Sequence, residues 1–455
     1  MNVLDACRAA CLRAAREPLQ PTQLPEAAFT AYALQQVEQR AAAAFLDSAG
    51  PRHERGRFSY LSGNTLAVFL QFADHFYLYL PDETPRQITP GAFADWLAAF
   101  HGKDDWGHAA LLPLITYEAF NPDIRPDLPH PLWHEAQAVW LLCDHLQTYD
   151  RTTQTLSAQA LSPEKTFRIQ GRFTAFHNNE VPTGWRESEQ RYGEKIKTVQ
   201  HHIYEGNFYQ ANLSQRFCRP TNQAPTETYR LLRARNPSPF MGIFRFFDYW
   251  VLSGSPERLV EKRGNFISAR PIAGTQPRYP HDPAADQKAR DHLTSCAKEQ
   301  AEHLMLVDLI RNDLGRVARA GSVQVREFAV IETYSHVHHL VSQVEANLAE
   351  TADVWELIAS VFPGGTITGA PKISCMQTLA ELEREKRGPY TGAMGYIGGD
   401  GNLDLNILIR TIIQVDRHIC FHAGGGIVAD SHQTAEYLET RHKCAALMEA
   451  LNIEV

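Results

Sequence analysis

The sequence predicts an α+β protein whose β-sheets are antiparallel. Helix-like and strand-like segments alternate along the chain, but without the strict strand–helix rhythm that builds a parallel sheet. A hydrophobic content of 44% and a charged content of 21% are typical of a globular protein with a buried core. At 455 residues, the chain is long enough for two or three ordinary domains or for one large domain.

Composition also indicates in which compartment the protein is located and which kinds of partner it does not bind. A net charge of −8, with no basic run that contains aromatic residues, speaks against nucleic-acid binding. The N-terminal segment lacks the apolar core of a signal peptide, and no later segment approaches a membrane span. The cysteines include no C-x-x-C pair, so we expect reduced thiols. These features predict a cytoplasmic protein with neither a membrane nor a nucleic-acid partner.

The N-terminal part of the sequence carries few functional signals. A polar segment marked by Pro and Gly, His177 to Gly184, is a candidate boundary. We therefore divide the chain into an N-terminal region, 1–180, and a catalytic region, 187–455. The elements predicted before this boundary are a helix over Thr30 to Asp47 and strands over Thr65 to Gln71, His75 to Leu80 and Ala138 to Cys143.

After the boundary, helical spacing of apolar residues predicts a helix over Glu187 to Glu205. The alternating segment Phe208 to Phe217 predicts a strand with Gln210, Asn212 and Ser214 on one face. Further predicted elements are β regions over Met241 to Val260, Phe266 to Ile272, Val323 to Phe328 and His336 to Leu348, helices over Ala284 to Arg316, Ala352 to Val361 and Ile373 to Arg384, a hairpin turn at Gly398 to Asn402, and a central strand over Leu403 to Val415.

Three consecutive glycines, Gly424, Gly425 and Gly426, follow a β-like run. Glycines adopt left-handed conformations readily, and successive N–H groups that point into one concavity bind anions. A probable helix follows, for which Asp430 or Ser431 is a candidate N-cap. The segment therefore predicts an anion site at the start of a helix.

On that helix, Glu436, Glu439 and Lys443 share one face. Two neighbouring carboxylates repel each other unless a cation lies between them, and Mg²⁺ prefers carboxylate oxygen. The alternative is a hairpin turn followed by a surface helix with an ordinary Glu–Lys pair. Both interpretations are open from these residues alone.

Two other glutamates are candidates for chemistry. Glu257 follows a strand and Pro256, where partial desolvation would raise its pKa and allow it to protonate a leaving hydroxyl. The alternative is a loop glutamate paired with Arg258 or Lys262. Glu302 borders an apolar helical stripe and could share a metal with the glutamates of the last helix, or could be a surface residue.

An arginine, a histidine and a Gly-rich loop complete the candidates. Arg410 lies in an apolar segment and needs an anion, either a substrate carboxylate or Asp404. The loop Phe362 to Lys372, FPGGTITGAPK, lacks the order of a Walker A motif. His339 alternates with apolar residues, which is more typical of a hydrogen-bonded core histidine than of a catalyst.

Seven ordered motifs together resemble the chorismate-utilising enzymes, which include anthranilate synthase component I, aminodeoxychorismate synthase component I, isochorismate synthase and salicylate synthase. The resemblance covers residues 187–455. Its motifs are SGSPERL, RPIAGT, AKEQAEHLMLVDLIRNDLGR, YSHVHHLVS, FPGGTITGAPK, GYIGGDGNLDLNILIRT and AGGGIVADSHQTAEYLET. Two further segments, FLDS at Phe45 to Ser48 and NPSPFM at Asn236 to Met241, resemble the tryptophan-pocket elements of this family.

The resemblance implies two antiparallel sheets packed as a sandwich with helices outside. It also implies a Mg²⁺ ion held by Glu302 and Glu439 with Glu436 beside them, and Glu257 as general acid for the departing 4-hydroxyl of chorismate. Lys372 and His339 are further catalytic candidates. The implied substrate-binding residues are Gln210, Thr275, Tyr396, Arg410, Gly424, Gly425, Gly426 and Lys443, and the candidate tryptophan pocket contains Ser48, Pro239, Phe240 and Met241.

Gln210 and Ala273 bear on which nucleophile and which product the resemblance implies. Family members that add water carry a basic lysine where this chain has Gln210, and a glutamine cannot deprotonate water, so ammonia is the expected nucleophile. Asn212, the FPGGTITGAPK loop and the modest length favour amination to 4-amino-4-deoxychorismate. Against this, Ala273 replaces the lysine that is proposed to add to the ring in that subfamily, as in anthranilate synthase. Anthranilate synthesis is therefore the alternative, and a non-catalytic ligand-binding regulator is an alternative of another class.

Ammonia needs a source. No cysteine lies in a Gly-x-Cys-x-Gly elbow, so the usual thiol route to glutamine hydrolysis is missing from the sequence. We expect a separate glutamine amidotransferase subunit as partner, and no lyase fused after Val455.

Overall fold

A computed structural model describes residues 20–50, 56–100, 106, 108–121, 123–124, 128–133, 136–159, 181–333 and 337–453. Two large sheets dominate this part of the chain, and the strand pairs within each are antiparallel. No helix among these residues is long and apolar enough to cross a membrane.

The first sheet, sheet A, runs in the order β1-β10-β9-β3-β2-β13-β14-β23-β24-β12-β11, with β20 paired to β12. Its strands are β1 Gln20–Gln23, β2 Ala42–Asp47, β3 Phe58–Ser62, β9 Leu146–Asp150, β10 Thr155–Ala158, β11 Gly184–Trp185, β12 Gln210–Pro220, β13 Phe240–Phe246, β14 Tyr249–Ser255, β20 Gly369–Ala370, β23 Thr411–Val415 and β24 His418–Ile427.

The second sheet, sheet B, runs in the order β17-β19-β16-β15-β22-β21-β7-β8-β4-β5-β6, with β18 paired to β19. Its strands are β4 Thr65–Gln71, β5 Phe76–Tyr79, β6 Arg86–Ile88, β7 Ala110–Ile115, β8 Ala138–Cys143, β15 Arg258–Arg263, β16 Phe266–Ala269, β17 Ile272–Pro277, β18 Gln324–Thr333, β19 Val337–Asn347, β21 Ala393–Gly398 and β22 Leu403–Asn406.

The helices of the described residues follow the chain between these strands. They are α1 Glu26–Gln39, α2 Pro90–Phe100, α3 Glu189–Tyr204, α4 Pro225–Arg235, α5 Pro283–Ser295, α6 Ala297–Gly315, α7 Val354–Val361, α8 Lys372–Glu383, α9 Gln433–Lys443 and α10 Ala445–Ala450, and a 3₁₀ turn covers Gly365–Ile367.

The two sheets pack face to face around a shared apolar layer. Leu114 of β7 and Met394 of β21, from sheet B, lie in one buried cluster with Phe244 of β13 and Ile413 of β23, from sheet A. The outer face of sheet B packs against α2 and α7, and that of sheet A packs against α1 and α10. Strands such as β7, β8, β14 and β23 are therefore buried on both faces, one against the other sheet and one against helices. The predicted sandwich with helices outside is confirmed.

Both sheets take strands from each side of the proposed boundary. Strand β2 pairs with β13 in sheet A, and β7 pairs with β21 in sheet B. The division into 1–180 and 187–455 stays a prediction, and the first four residues of its boundary segment lie outside the described residues.

Two predicted helices and one predicted strand differ from the observed elements. The helix predicted over 30–47 ends at Gln39, and Ala42–Asp47 forms a strand between two neighbours, because sheet pairing overrides the helix propensity of its alanines. The long helix predicted over 284–316 divides at Cys296, whose backbone is extended at φ −72° and ψ 111°. No glycine or proline marks that break.

The predicted central strand over 403–415 is two strands in different sheets. Strand β22 belongs to sheet B and β23 to sheet A, so the segment between them crosses from one sheet to the other. Arg410, in this crossing, has a left-handed backbone with φ 50°. Hydrophobicity alone does not reveal such a crossing, because both strands are buried.

The expectation of reduced cysteines is wrong for one pair. Cys218 of β12 and Cys420 of β24 lie directly opposite each other with a Cα–Cα distance of 4.2 Å and form a disulfide. The strand register, which the cysteine spacing does not show, brings them together. Cys143, Cys296, Cys375 and Cys444 are free, and Cys7 and Cys11 lie outside the described residues.

Candidate active site

Glu257 lies in the short connection between β14 of sheet A and β15 of sheet B. Its side chain is buried, and Thr366 Oγ1 donates a hydrogen bond of 2.9 Å to its Oε1. Burial disfavours the charged form and raises the pKa of Glu257 to about 7, although the bond from Thr366 opposes this shift. A carboxyl group with this pKa holds and donates a proton near neutral pH.

Arg410 is placed close enough to Glu257 for their charges to interact. Its Nη1 donates to Asn236 Oδ1 at 2.8 Å, and burial lowers its pKa while the charge of Glu257 acts in the opposite direction. The structural partner proposed from sequence, Asp404, instead binds Arg258 through two hydrogen bonds of 2.8 and 2.7 Å. Arg410 is thus available to a ligand anion.

His339 and Thr275 form a pair on neighbouring strands of sheet B. His339 Nδ1 and Thr275 Oγ1 are 2.9 Å apart. Burial, together with the charge of Arg410, lowers the pKa of His339 to about 4. The imidazole is therefore neutral at pH 7 and serves as a hydrogen-bonding group. Ala273, two residues before Thr275, is buried in β17.

Lys372 forms a salt bridge with Asp313 of helix α6. Its Nζ donates to Asp313 Oδ2 at 2.9 Å and to the Val361 carbonyl at 3.3 Å. Burial lowers the pKa of Lys372 and raises that of Asp313. Asp313 and Glu257 line the same small cavity of about 20 Å³. Lys372 thereby anchors the loop that carries Thr366.

The three glycines leave space for the side chains around them, and their part in substrate binding stays a prediction. Gly424, Gly425 and Gly426 lie within the regular strand β24, so the predicted left-handed conformations are wrong for them. A side chain at Gly426 would overlap the Gln210 amide and lie 3.3 Å from Glu302 Oε1, and one at Gly424 would lie 2.6 Å from Asn212 Oδ1. These two glycines leave room for polar side chains of β12 and α6.

Successive residues of a strand point to opposite faces, so Gly425 lies on the other face of β24 from Gly424 and Gly426. Helix α9 covers that face. A Cβ at Gly425 would lie 3.4 Å from Glu436 Oε2, 3.8 Å from Glu439 Oε1 and 3.9 Å from Lys443 Nζ. Lys443 Nζ donates to Glu439 Oε1 at 2.7 Å and to the Gly424 carbonyl at 3.1 Å.

The predicted N-cap of α9 is wrong. The helix begins after His432, which makes no side-chain cap. Ser431 Oγ instead donates to Glu436 Oε1 at 2.7 Å, and so orients that carboxylate.

Three glutamates thus border consecutive glycines of one strand, Glu302 at Gly426 and the other two, Glu436 and Glu439, at Gly425. Carboxylate oxygens are the ligands that Mg²⁺ prefers, and those of Glu436 and Glu439 both lie beside Gly425. Among the described residues, no three His, Cys, Asp or Glu side chains are grouped closely enough to hold a metal ion. The convergence of all three glutamates on one ion stays a prediction.

A second, larger cavity of about 540 Å³ lies between β2, β13 and sheet B. It contains the four residues of the candidate tryptophan pocket, Ser48, Pro239, Phe240 and Met241. Tyr396 also lines this cavity, where its hydroxyl accepts a hydrogen bond of 2.8 Å from Arg263 Nη1. The structure therefore groups Tyr396 with the candidate tryptophan pocket and not with Arg410.

Three polar residues of the site, Thr366, Asn236 and Asp313, were missed from the sequence as functional groups, and so was the contact that Asn212 makes. Each acts through a contact with a residue more than 50 positions away. Thr366 and Asn236 do lie in motifs that carry the resemblance, FPGGTITGAPK and NPSPFM. Their partners become apparent only when the sheets are assembled.

Comparison with known proteins places this site in a family. The family model described as chorismate binding enzyme matches residues 41–449. Anthranilate synthase component 1 of Streptomyces coelicolor is 46% identical over 271 residues, 59% of this chain and 53% of that protein. Aminodeoxychorismate synthase component 1 is 39% identical in Escherichia coli over 313 residues, 68% of each chain, and 38% identical in Bacillus subtilis over 322 residues, 70% of this chain and 68% of that protein.

The chain spans about half the length of the first of these relatives. Among solved structures, anthranilate synthase component I from Streptococcus pneumoniae superposes with a TM-score of 0.71 at 28% identity, covering 86% of this chain and 92% of that chain. The extent of the family match, which includes strands of both sheets and every residue of the Glu257 site, shows that the chain belongs to the family of chorismate binding enzymes.

Proposed function

We propose that the chain aminates chorismate with ammonia to give 4-amino-4-deoxychorismate and water. The observation that carries this proposal is Glu257, a buried carboxyl group with a pKa raised to about 7 and an arginine beside it. A protonated acid next to a cation suits the removal of a hydroxyl group from a carboxylated ring.

The chemistry of the chain's own residues follows from their placement. Glu257 gives its proton to the 4-hydroxyl as the C4–O bond breaks, and the hydroxyl leaves as water. The nitrogen of ammonia bonds to the ring and releases one proton, which balances the proton taken from Glu257. Arg410 binds a ring carboxylate through its guanidinium, and neutral His339 with Thr275 forms a hydrogen-bonding wall beside the ring.

Gln210 supports ammonia over water as the nucleophile. Its side chain is a neutral amide, which cannot act as a base, and its Nε2 is engaged by Glu302 Oε1 at 2.9 Å. Water needs a base at this position before it attacks, whereas ammonia carries a nucleophilic lone pair. The aminodeoxychorismate synthase relatives also align over a longer part of this chain, 68 to 70%, than the Streptomyces anthranilate synthase, 59%.

We propose Mg²⁺ as the cofactor of the reaction. Glu302, Glu436 and Glu439 are the residues that would hold it. When bound, it would neutralise a carboxylate of the substrate. Lys443, whose Nζ pairs with Glu439, is the residue that we propose to bind a substrate carboxylate beside the ion.

Anthranilate synthesis is the second candidate, and Ala273 favours it. Alanine cannot form the covalent ring adduct proposed for the amination at C4. The identity of 46% to an anthranilate synthase component points the same way. A glutamine amidotransferase subunit is the proposed source of ammonia in either case.

Product analysis tests the proposal. Purified protein is incubated with chorismate, Mg²⁺ and ammonium at mildly alkaline pH, and the products are separated by chromatography. We expect a non-fluorescent aminated product that yields para-aminobenzoate when a lyase is added. Fluorescent anthranilate without a lyase would support the second candidate, and unconsumed chorismate would favour a ligand-binding regulator. Glu205→Gln, at an exposed site after α3, is the matched control for Glu257→Gln, which should abolish turnover.

A further inference from the structure

The loop that carries Thr366 is held through three consecutive backbone carbonyls. Arg387 Nη1 donates to the Ile367 carbonyl at 3.0 Å. On either side, Asn212 donates to the Thr366 carbonyl at 3.2 Å through Nδ2 and to the Thr368 carbonyl at 2.9 Å through its backbone N–H. The position of this loop therefore depends on one strand residue and one arginine from the connection after α8.

Arg387 also joins the loop to strand β12. The residue is 2% exposed, and its Nη2 donates to the Asn212 carbonyl at 2.5 Å. Nε and Nη2 donate to the two carboxylate oxygens of Glu383 at 2.9 and 2.7 Å. Glu383 Oε1 in turn accepts bonds of 2.8 Å from the backbone N–H and the hydroxyl of Ser214 on β12. A buried guanidinium is costly unless its N–H groups are bonded, and here all three nitrogens are.

These contacts require a planar guanidinium. The guanidinium carbon of Arg387 lies 4.6 Å from the ring centre of Tyr117 and 5.8 Å from that of Tyr390. A lysine ammonium carries the same charge, but its three N–H groups cannot bond two carbonyls and both oxygens of a carboxylate at once. Replacement by lysine should therefore loosen the loop while it keeps the charge.

We propose that Arg387 is a positioning residue for the acid Glu257, because it fixes the loop from which Thr366 reaches that carboxyl. Arg387 holds the carbonyl of Ile367, the residue that follows Thr366. The Thr366 hydroxyl donates to Glu257 Oε1 at 2.9 Å. Two adjacent residues thus carry the contact to the guanidinium and the contact to the acid. This inference rests on the proposed function, in which Glu257 is the general acid.

The other groups around Glu257 do not belong to this loop. The Ile272 backbone N–H donates to its carboxylate, and the charge of Arg410 also favours its ionised form. Asp313 and Arg258 line the same small cavity. A displaced loop should therefore change the hydroxyl contact of the acid and leave these groups in place.

The pH–rate profile tests this role. We expect the alkaline limb of Arg387→Lys to move to higher pH by about 0.5 to 1 unit, the effect of one weakened hydrogen bond to a carboxylate, with a KM for chorismate within about twofold of the wild type. The double variant with Thr366→Val should have the same alkaline limb as Thr366→Val alone, since Arg387 acts through that hydroxyl.

Arg151→Lys is the matched control. Arg151 is also a buried arginine, and it donates to two backbone carbonyls, those of Gly56 and Gly50, and to the Glu26 carboxylate. Its replacement should reduce stability without moving the alkaline limb. An equal shift in this control would assign the effect to lost stability and overturn the proposal.

Unfolding measurements keep the test independent of turnover. The free energy of unfolding between pH 5 and about 9, with glutamate and with glutamine at position 257, gives the pKa of that carboxyl. The stability that protonated Glu257 contributes should persist to higher pH in Arg387→Lys than in the wild type. If melting shows that Arg387→Lys is not folded, the double variant Glu383→Gln/Arg387→Met, which removes both charges of the buried pair, takes its place.

An alkaline limb that stays in place in the folded Arg387 variant would overturn the positioning role. Shifts that add in the double variant with Thr366→Val would overturn it as well, because Arg387 would then act by another route. Wild-type protein that leaves chorismate unconsumed would instead contradict the proposed function, and the unfolding measurement would still test the link between Arg387 and Glu257.

Discussion

Thr366 Oγ1 donates a hydrogen bond of 2.9 Å to Glu257 Oε1, and it joins the Gly-rich loop of one sequence region to the candidate acid of another, 109 residues away. The bond stabilises the charged carboxylate and so lowers the pKa of Glu257, against the larger effect of burial. The Thr366 hydroxyl is therefore one contribution to the pKa of the acid, smaller than that of burial.

Replacing Thr366 by valine should move the alkaline limb of the pH–rate profile to higher pH. Wild-type turnover is expected to fall as pH rises through about 7, because Glu257 loses the proton that it donates. Without the hydroxyl, the pKa of Glu257 rises further and the limb follows it. Thr198→Val, on an exposed face of α3, is the control. A limb that stays in place or moves to lower pH would contradict the assignment of Glu257.

The pH dependence of folding stability should reveal the raised pKa of Glu257 independently of activity. The folded-state pKa of Glu257 is about 7, above its ordinary value of 4.5, so the folded state binds a proton that the unfolded state has released between these values. The free energy of unfolding should fall by about 3 kcal/mol as pH rises through this window. Denaturant unfolding of wild type and Glu257→Gln between pH 5 and about 8 measures it. A constant difference between the two proteins would contradict the raised pKa.

Arg410→Gln should raise the KM for chorismate by about ten- to a hundredfold, the effect of one charge-assisted hydrogen bond pair. Arg410 as a whole residue is partly exposed and its guanidinium is held by Asn236, so its replacement removes a binding group without opening the core. Arg230→Gln, at an exposed site on α4, serves as control. Equal KM values for Arg410→Gln and wild type would remove Arg410 from substrate binding.

The cavity of about 540 Å³ should bind tryptophan. Its wall combines Phe240 and Met241 with several charged side chains, which suits an amino acid with an aromatic ring. Isothermal calorimetry with tryptophan should give measurable heat, and alanine should give none. Equal signals from the two amino acids would show that the cavity does not select the indole ring.

Most of the fold could be predicted from local patterns. Short apolar runs such as β4 and β8, and the apolar stripe of α3, predict their elements. The failures share a cause. Ala42–Asp47 has the composition of a helix but fills a gap in a sheet, and the segment around Arg410 looks continuous but connects two sheets. Tertiary pairing decides both.

The candidate site was predictable where a charged residue has a distinctive position, as Arg410 does in an apolar segment and Glu257 does after a strand and Pro256. It was not predictable where a neutral residue acts through a distant partner, as Thr366 and Asn212 do. The three glycines were recognised, but the extended backbone on which they leave room for neighbouring side chains was not. Tyr396 was assigned to the substrate by motif, and the structure places it at the other cavity.

The most direct test of the account is a crystal structure of the Glu257→Gln variant with chorismate and Mg²⁺. The predicted result places the 4-oxygen of the ring about 3 Å from the side chain of residue 257, with a ring carboxylate against Arg410. A ring bound elsewhere, or bound with its 4-oxygen turned away from residue 257, would contradict the role of Glu257 as the acid for the departing hydroxyl.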